Sequence, residues 1–125
     1  MEMNNGKIQQ EGFKAVIAYE KKRGWEAKPY QKNGYDLVSK KMNSIRHIEV
    51  KATSKKQIYF RWLEENEFKA LKSDKKYYLY LVTNALNSPT VFTFTKKQTL
   101  SRFKGEEIKY LFTFNKEDFK KHKYK

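Results

Sequence analysis

Three residues in the stretch "GYDLVSKKMNSIRHIEVKAT", positions 34 to 53, carry side chains suited to chemistry: Asp36, Glu49 and Lys51. Such charges are costly to bury unless they are paired or bind a metal. Two carboxylates held close repel unless a cation lies between them. One or two carboxylates, completed by water and phosphate oxygens, form the ligand set that Mg²⁺ takes. A lysine beside them can stabilise charge on a phosphate or help activate a water. These residue types point to a divalent cation acting on a phosphodiester.

The pattern around them predicts two strands, 35–41 and 45–52, joined by a short turn around Asn43-Ser44. Side chains alternate along a strand. Asp36 and Val38 then share one face, with Tyr35 and Leu37 on the other. Ile48, Val50 and Ala52 point one way, while His47, Glu49, Lys51 and Thr53 point the other. With an even-numbered turn, Asp36 falls opposite Glu49 or Lys51, and the apolar residues of both strands meet on the opposite face. Alternation alone would equally describe a polar, solvent-facing side of a sheet; it is the residue types that favour a site.

A helix is expected from Ile8 to Arg23, stopped by Gly24. Phe13, Val16 and Ile17 form its apolar stripe, and Glu20 lies in the middle of that stripe. A glutamate there needs a partner: a lysine from the sheet, or the same metal cluster reached from the helix. A second helix is expected over 63–73. Its Glu67, near Leu63 and Leu71, sits in the first turn, where the helix N-terminus stabilises a carboxylate, so a structural role is expected. His47 shares the carboxylate face without another histidine and is expected outside the ligand set. His122 lies in the basic tail, where it should meet solvent.

The remaining elements must hold these residues. "KPYQKNG" reads as turn, with Pro29 and Gly34 as breakers. "QIYF" (57–60) is expected as a third short strand. "KYYLYLVTN" (76–84) suits a central strand buried on both faces, with Tyr77, Tyr78 and Tyr80 as core aromatics. Further strands are expected at 90–94 and 108–114, with a short helix near 96–103 between them. The tail, 115–125, reads as a helix followed by a basic fringe. There is no internal repeat or linker, so 1–125 is expected to be a single α/β domain with helices against a mixed sheet.

Composition narrows the partner. The chain has 125 residues and a formal net charge of +14, and a folded domain this basic suits a polyanion, nucleic acid first and an anionic membrane surface second. An aromatic content of 16% argues against disorder. With no cysteine, disulfides and Cys-based zinc sites are excluded. The N-terminus has no apolar signal-like run, and no segment reaches transmembrane length, so a cytoplasmic protein without a membrane partner is expected. Lys55, Lys56 and Arg61 are expected to grip phosphates without reading bases.

At these residues the sequence resembles the PD-(D/E)XK nuclease superfamily, whose fold is restriction-endonuclease-like. There an aspartate opens one strand and (D/E)-x-K lies in the next, as Asp36 and Glu49-Val50-Lys51 do here. The helix glutamate of resolvase-like branches matches Glu20. A closer resemblance is to the NO VEIN C-terminal-like domain, carried in order by "AVIAYEKKRGW", "GYDL", "IEVKAT", "NEF" and "YYLYLV" over roughly residues 11–95. The proline of the superfamily's name is absent, since Gly34-Tyr35 precedes Asp36. The resemblance implies an αβββαβ core and Mg²⁺-dependent hydrolysis of nucleic acid, DNA in the first instance, with Mn²⁺ as a substitute. It implies Asp36, Glu49, the Val50 carbonyl and Glu20 as metal ligands, with Lys51 acting on water and phosphate. The partners implied are a second copy of the chain or a larger helicase or restriction assembly. Some members of the superfamily only bind, so a non-catalytic nucleic-acid-binding module is the alternative.

Overall fold

The computed structural model describes residues 5–58, 60–102 and 110–113. The first helix, α1, spans Asn5–Lys22, and Gly24 ends it with a φ of 86° that an L side chain rarely adopts. Three antiparallel strands follow: β1 (Glu26–Lys32), β2 (Tyr35–Lys41) and β3 (Ser44–Ala52). Strand β4 (Phe60–Leu63) leads into α2 (Glu65–Ser73), after which β5 (Tyr77–Thr83) returns parallel to β3. Then come β6 (Thr90–Thr95), α3 (Lys96–Ser101) and β7 (Tyr110–Thr113). The main sheet has the order β1-β2-β3-β5-β6, and β4 pairs with β7 in a separate two-stranded ribbon.

The αβββαβ core is therefore present, but its first strand is not where the sequence pattern placed it. Residues 28–32, part of the segment read as turn, lie in β1, an edge strand that tolerates Pro29 because its free edge needs no N–H there. The signal for it was Asn33-Gly34, whose φ values of 56° and 85° make the two-residue turn joining β1 to β2. Gly34 also lies so close to α2 that an added Cβ would stand 2.2 Å from the Asn66 carbonyl oxygen. The third strand expected at 57–60 is displaced to Phe60–Leu63 and lies outside the main sheet. The β2–β3 turn is Met42-Asn43, an even-numbered loop as the hairpin argument required. The expected tail helix lies outside the described residues.

Both faces of the sheet are covered. On one, α1 sets Ile8 and Val16 against Leu37, Ile48, Val50, Ala52, Tyr80 and Val82. On the other, Ala70 and Leu71 of α2 meet Tyr77, Leu79, Leu81, Phe92 and Phe94. Strand β5, nearly all apolar or aromatic, supplies both cores by alternation, as a central strand must. Because α2 lies over it, the face that carries Glu49 and Lys51 is roofed rather than open to water.

Candidate metal centre

In β2 and β3 the ladder runs from Lys41↔Ser44 to Leu37↔Ile48, so Asp36 stands across from Glu49. At that point the hairpin opens, and the Val50 amide donates instead to Asp36 Oδ2 at 2.9 Å. One strand further in, Glu49 aligns with Leu79 and Lys51 with Leu81, both in the core beneath α2. Glu49 is only 2% exposed.

The three residues named from sequence converge with a fourth. Lys51 Nζ lies 3.2 Å from Glu49 Oε2 and 3.0 Å from Glu67 Oε1 on α2. Glu67 Oε1 also accepts the Glu64 amide at 2.9 Å, so the carboxylate that closes the helix N-terminus is the one that holds the lysine. The structural role expected for Glu67 is thus correct but incomplete. Its place between Leu63 and Leu71 at helical spacing was the available signal, the same one that singled out Glu20.

Charge in this cluster is held under stress. Burial pushes the Glu49 carboxyl well above its ordinary value; Lys51 opposes this, while Asp36 and Glu67 add to it. Burial also raises Asp36, against the pull of the Val50 amide and Lys51. For Lys51 burial works against the ammonium, yet Glu49 and Glu67 outweigh it and hold the pKa above the usual lysine range. One lysine thus compensates a carboxylate cluster that repels itself, which is the electrostatic condition a bound cation relieves.

A buried hydroxyl points to the same need. The Tyr77 OH has no hydrogen-bond partner among the described residues. Burial drives its pKa well up, and Glu49, Glu67, Asp36 and Asp74 each add to that through their charge. An unpaired hydroxyl beside carboxylates calls for water or a hydrated cation. Among the described residues no group of three or more His, Asp or Glu is arranged to hold a metal ion. The donors present fit a cation that keeps several waters and takes two carboxylates, as Mg²⁺ does.

Glu20 corrects the expectation made for it. It is fully buried, but on the α1 face, opposite the Asp36–Glu49 pair. It accepts from Ser39 Oγ at 2.7 Å, from Tyr80 OH at 2.8 Å, and from Arg46 Nη1 at 3.0 and 3.2 Å. Its partner is an arginine that also stacks on Trp25 at 3.8 Å, neither a sheet lysine nor a metal cluster. The physical reason is alternation: Ser39, Arg46 and Tyr80 share the face of Leu37, Ile48 and Val82, so a residue of α1 meets them and not their neighbours. Glu20 therefore belongs to a buried ion-pair network that ties α1 to the sheet.

Val50 buries its side chain on the α1 side and gives its amide to Asp36. Lys55 and Lys56 are exposed just past the end of β3. Arg61 falls in β4, and its side chain lies outside the described residues. His47 Nδ1 is 2.6 Å from Asp74 Oδ2 and its ring stacks on Tyr35, so it is engaged away from the carboxylate pair. No helix among the described residues is long and apolar enough to cross a membrane.

Comparison with known proteins identifies the family and the fold. The family model described as "Protein NO VEIN, C-terminal" matches residues 8–94, which span α1 to β6. No curated protein matches the chain. Among solved structures, the 1.6 Å structure of Archaeoglobus fulgidus Hjc, a Holliday junction resolvase from an archaeal hyperthermophile, is similar with a TM-score of 0.63. Identity to it is 14%, over 89% of this chain and 86% of that one. The fold, a mixed five-stranded sheet flanked by helices, is restriction-endonuclease-like, as in that resolvase.

Proposed function

The chain belongs to the Protein NO VEIN, C-terminal family, and from that premise we propose that it is a metal-dependent endonuclease acting on nucleic acid, DNA in the first instance. The observation that carries the proposal is the meeting of Asp36, Glu49 and Lys51 on one roofed face, with Glu67 fixing the lysine from α2.

Asp36 and Glu49 would hold Mg²⁺, or Mn²⁺ in its place, with the Val50 carbonyl as a further ligand. In an extended strand a residue's N–H and C=O leave by the same edge, and the Val50 N–H is turned to Asp36. The cation, when bound, lowers the pKa of its water and neutralises charge on the phosphate. Lys51, positioned by Glu67, orients the attacking water and stabilises the charge that grows on the phosphate oxygens. Lys55, Lys56 and Arg61 hold the backbone of the substrate without reading sequence.

The test is incubation with supercoiled plasmid, four-way branched DNA and RNA, each with Mg²⁺, Mn²⁺ or EDTA. Branched DNA is included because the similar Hjc is a Holliday junction resolvase. Cleavage of a DNA substrate that needs the metal is the expected result. One observation favours a second reading, a module that binds without cutting: Lys51 is already engaged by two carboxylates. Metal-independent binding with no cleavage by either metal would establish it.

A further inference from the structure

Strand β1, unforeseen from sequence, carries a feature that the carboxylate site does not use. The β1–β2 ladder pairs Pro29 with Leu37 and then Lys32 with Tyr35. Two residues, Tyr30 and Gln31, therefore face Asp36 alone. That is a bulge, and bulges re-aim side chains. Here the re-aimed ring starts a stack. Tyr30 lies on Tyr35 at 5.2 Å with planes 6° apart, and Tyr35 lies on His47 at 4.3 Å and 3°. The far end is pinned, since His47 is 2.6 Å from Asp74 and its amide donates to the Lys76 carbonyl. The near end is open: Tyr30 is 40% exposed, with Lys32 Nζ 6.0 Å above its ring. Among the described residues, the pairs Tyr19–Tyr80 and Tyr78–Tyr80 instead meet edge to face at 85°.

We propose that the outer face of Tyr30 is a stacking site for one unpaired nucleobase of the strand whose phosphate reaches Asp36. The proposal rests on the nucleic-acid reading above and adds the substrate's form. A flat, exposed ring backed by two parallel rings offers a rigid π surface, so a base that stacks there orders little else. Lys32 stands where it can exchange its contact with the ring for the phosphate beside that base, and the chain's net charge of +14 draws such a strand in. Bases inside a duplex have both faces covered by their neighbours, whereas a single strand, a fork or a branch point presents an unpaired base with a free one. The bulge sets Tyr30 across from Asp36, so the base it holds flanks the phosphate at the site.

The experiment is binding in EDTA, so that catalysis plays no part. A single-stranded oligonucleotide and a forked duplex, each with 2-aminopurine at the unpaired position, are compared with a blunt duplex. Wild-type protein should quench the 2-aminopurine of the first two. Tyr30→Ala should weaken their binding about ten-fold, the lower part of the range for one base on an aromatic ring, and abolish the quench while leaving the blunt duplex unchanged. Tyr30→Phe should behave as wild type and Tyr30→Leu as the alanine variant. Equal weakening on all three substrates, or no change on any, would overturn the stacking site while nucleic-acid binding stood. If wild-type protein binds none of them at low salt, the nucleic-acid reading falls and this proposal with it.

Discussion

The Lys51 ammonium and the Glu67 carboxylate meet at 3.0 Å across the boundary between sheet and helix. The same Glu67 oxygen receives the Glu64 amide, so the start of α2 and the orientation of the lysine are one arrangement. Glu67→Ala removes both contacts. The lost bond to the Glu64 amide costs on the order of 1 kcal/mol, and the lost pair with Lys51 adds on the order of 1–3 kcal/mol. Glu67→Gln keeps the acceptor for Glu64 and should lose clearly less stability. Urea denaturation of the two variants checks this, and equal losses would mean that the Glu64 contact adds no stability of its own.

Lys51 and the exposed lysines should separate by the step they affect. Lys51→Ala is expected to bind nucleic acid as wild type does but to cleave about a hundred-fold more slowly at saturation, the usual consequence of losing one transition-state donor. Lys55→Ala and Lys56→Ala should instead weaken binding and lower the salt slope by about one unit each, with single-turnover cleavage intact. Normal cleavage by Lys51→Ala would remove the lysine from the mechanism.

The carboxylate pair makes stability depend on pH and metal. Both Asp36 and Glu49 titrate above their ordinary values in the folded chain, so folding favours their protonated forms. Their penalty is absent below the unfolded value, 4.5 for a glutamate, and grows as pH rises from there through the folded value. In EDTA this contribution destabilises the protein increasingly as pH rises above the unfolded value. Glu49→Gln should flatten that part of the profile, and saturating Mn²⁺ should flatten it in wild type. Calorimetric titration with Mn²⁺ should show binding that Asp36→Ala largely removes. Undiminished binding by that variant, or identical pH profiles for wild type and Glu49→Gln, would argue against the centre.

Glu20 provides the complementary test on the opposite face. Glu20→Ala strands Arg46, Ser39 and Tyr80 around a missing acceptor, and breaking a buried ion pair typically costs about 3–5 kcal/mol. Glu20→Gln retains an acceptor and should lose less. Where the variants remain folded, their Mn²⁺ affinity should equal that of wild type. A loss of metal affinity in folded Glu20→Gln would return Glu20 to the site.

The sequence by itself determined the pairing that matters. Alternation in β2 and β3, taken with an even turn, puts Asp36, Glu49 and Lys51 to one side and Leu37, Ile48 and Val50 to the other; the structure supplies the even turn, and Tyr35 departs from the alternation to stack on His47. The apolar run of β5 likewise announces a strand covered on both faces. What lay beyond such local periodicity was decided by packing. A glutamate on a helix's apolar stripe must be buried, but which face of the sheet it meets depends on where the helix lands; α1 landed on the Ser39–Arg46–Tyr80 side and took Glu20 with it. Glu67, set in α2, landed on the other side and reached Lys51. The stack of Tyr30, Tyr35 and His47 joins residues from three strands through a bulge and an opened ladder. Such irregularities carry no period, so they exist only once the strands have found their partners.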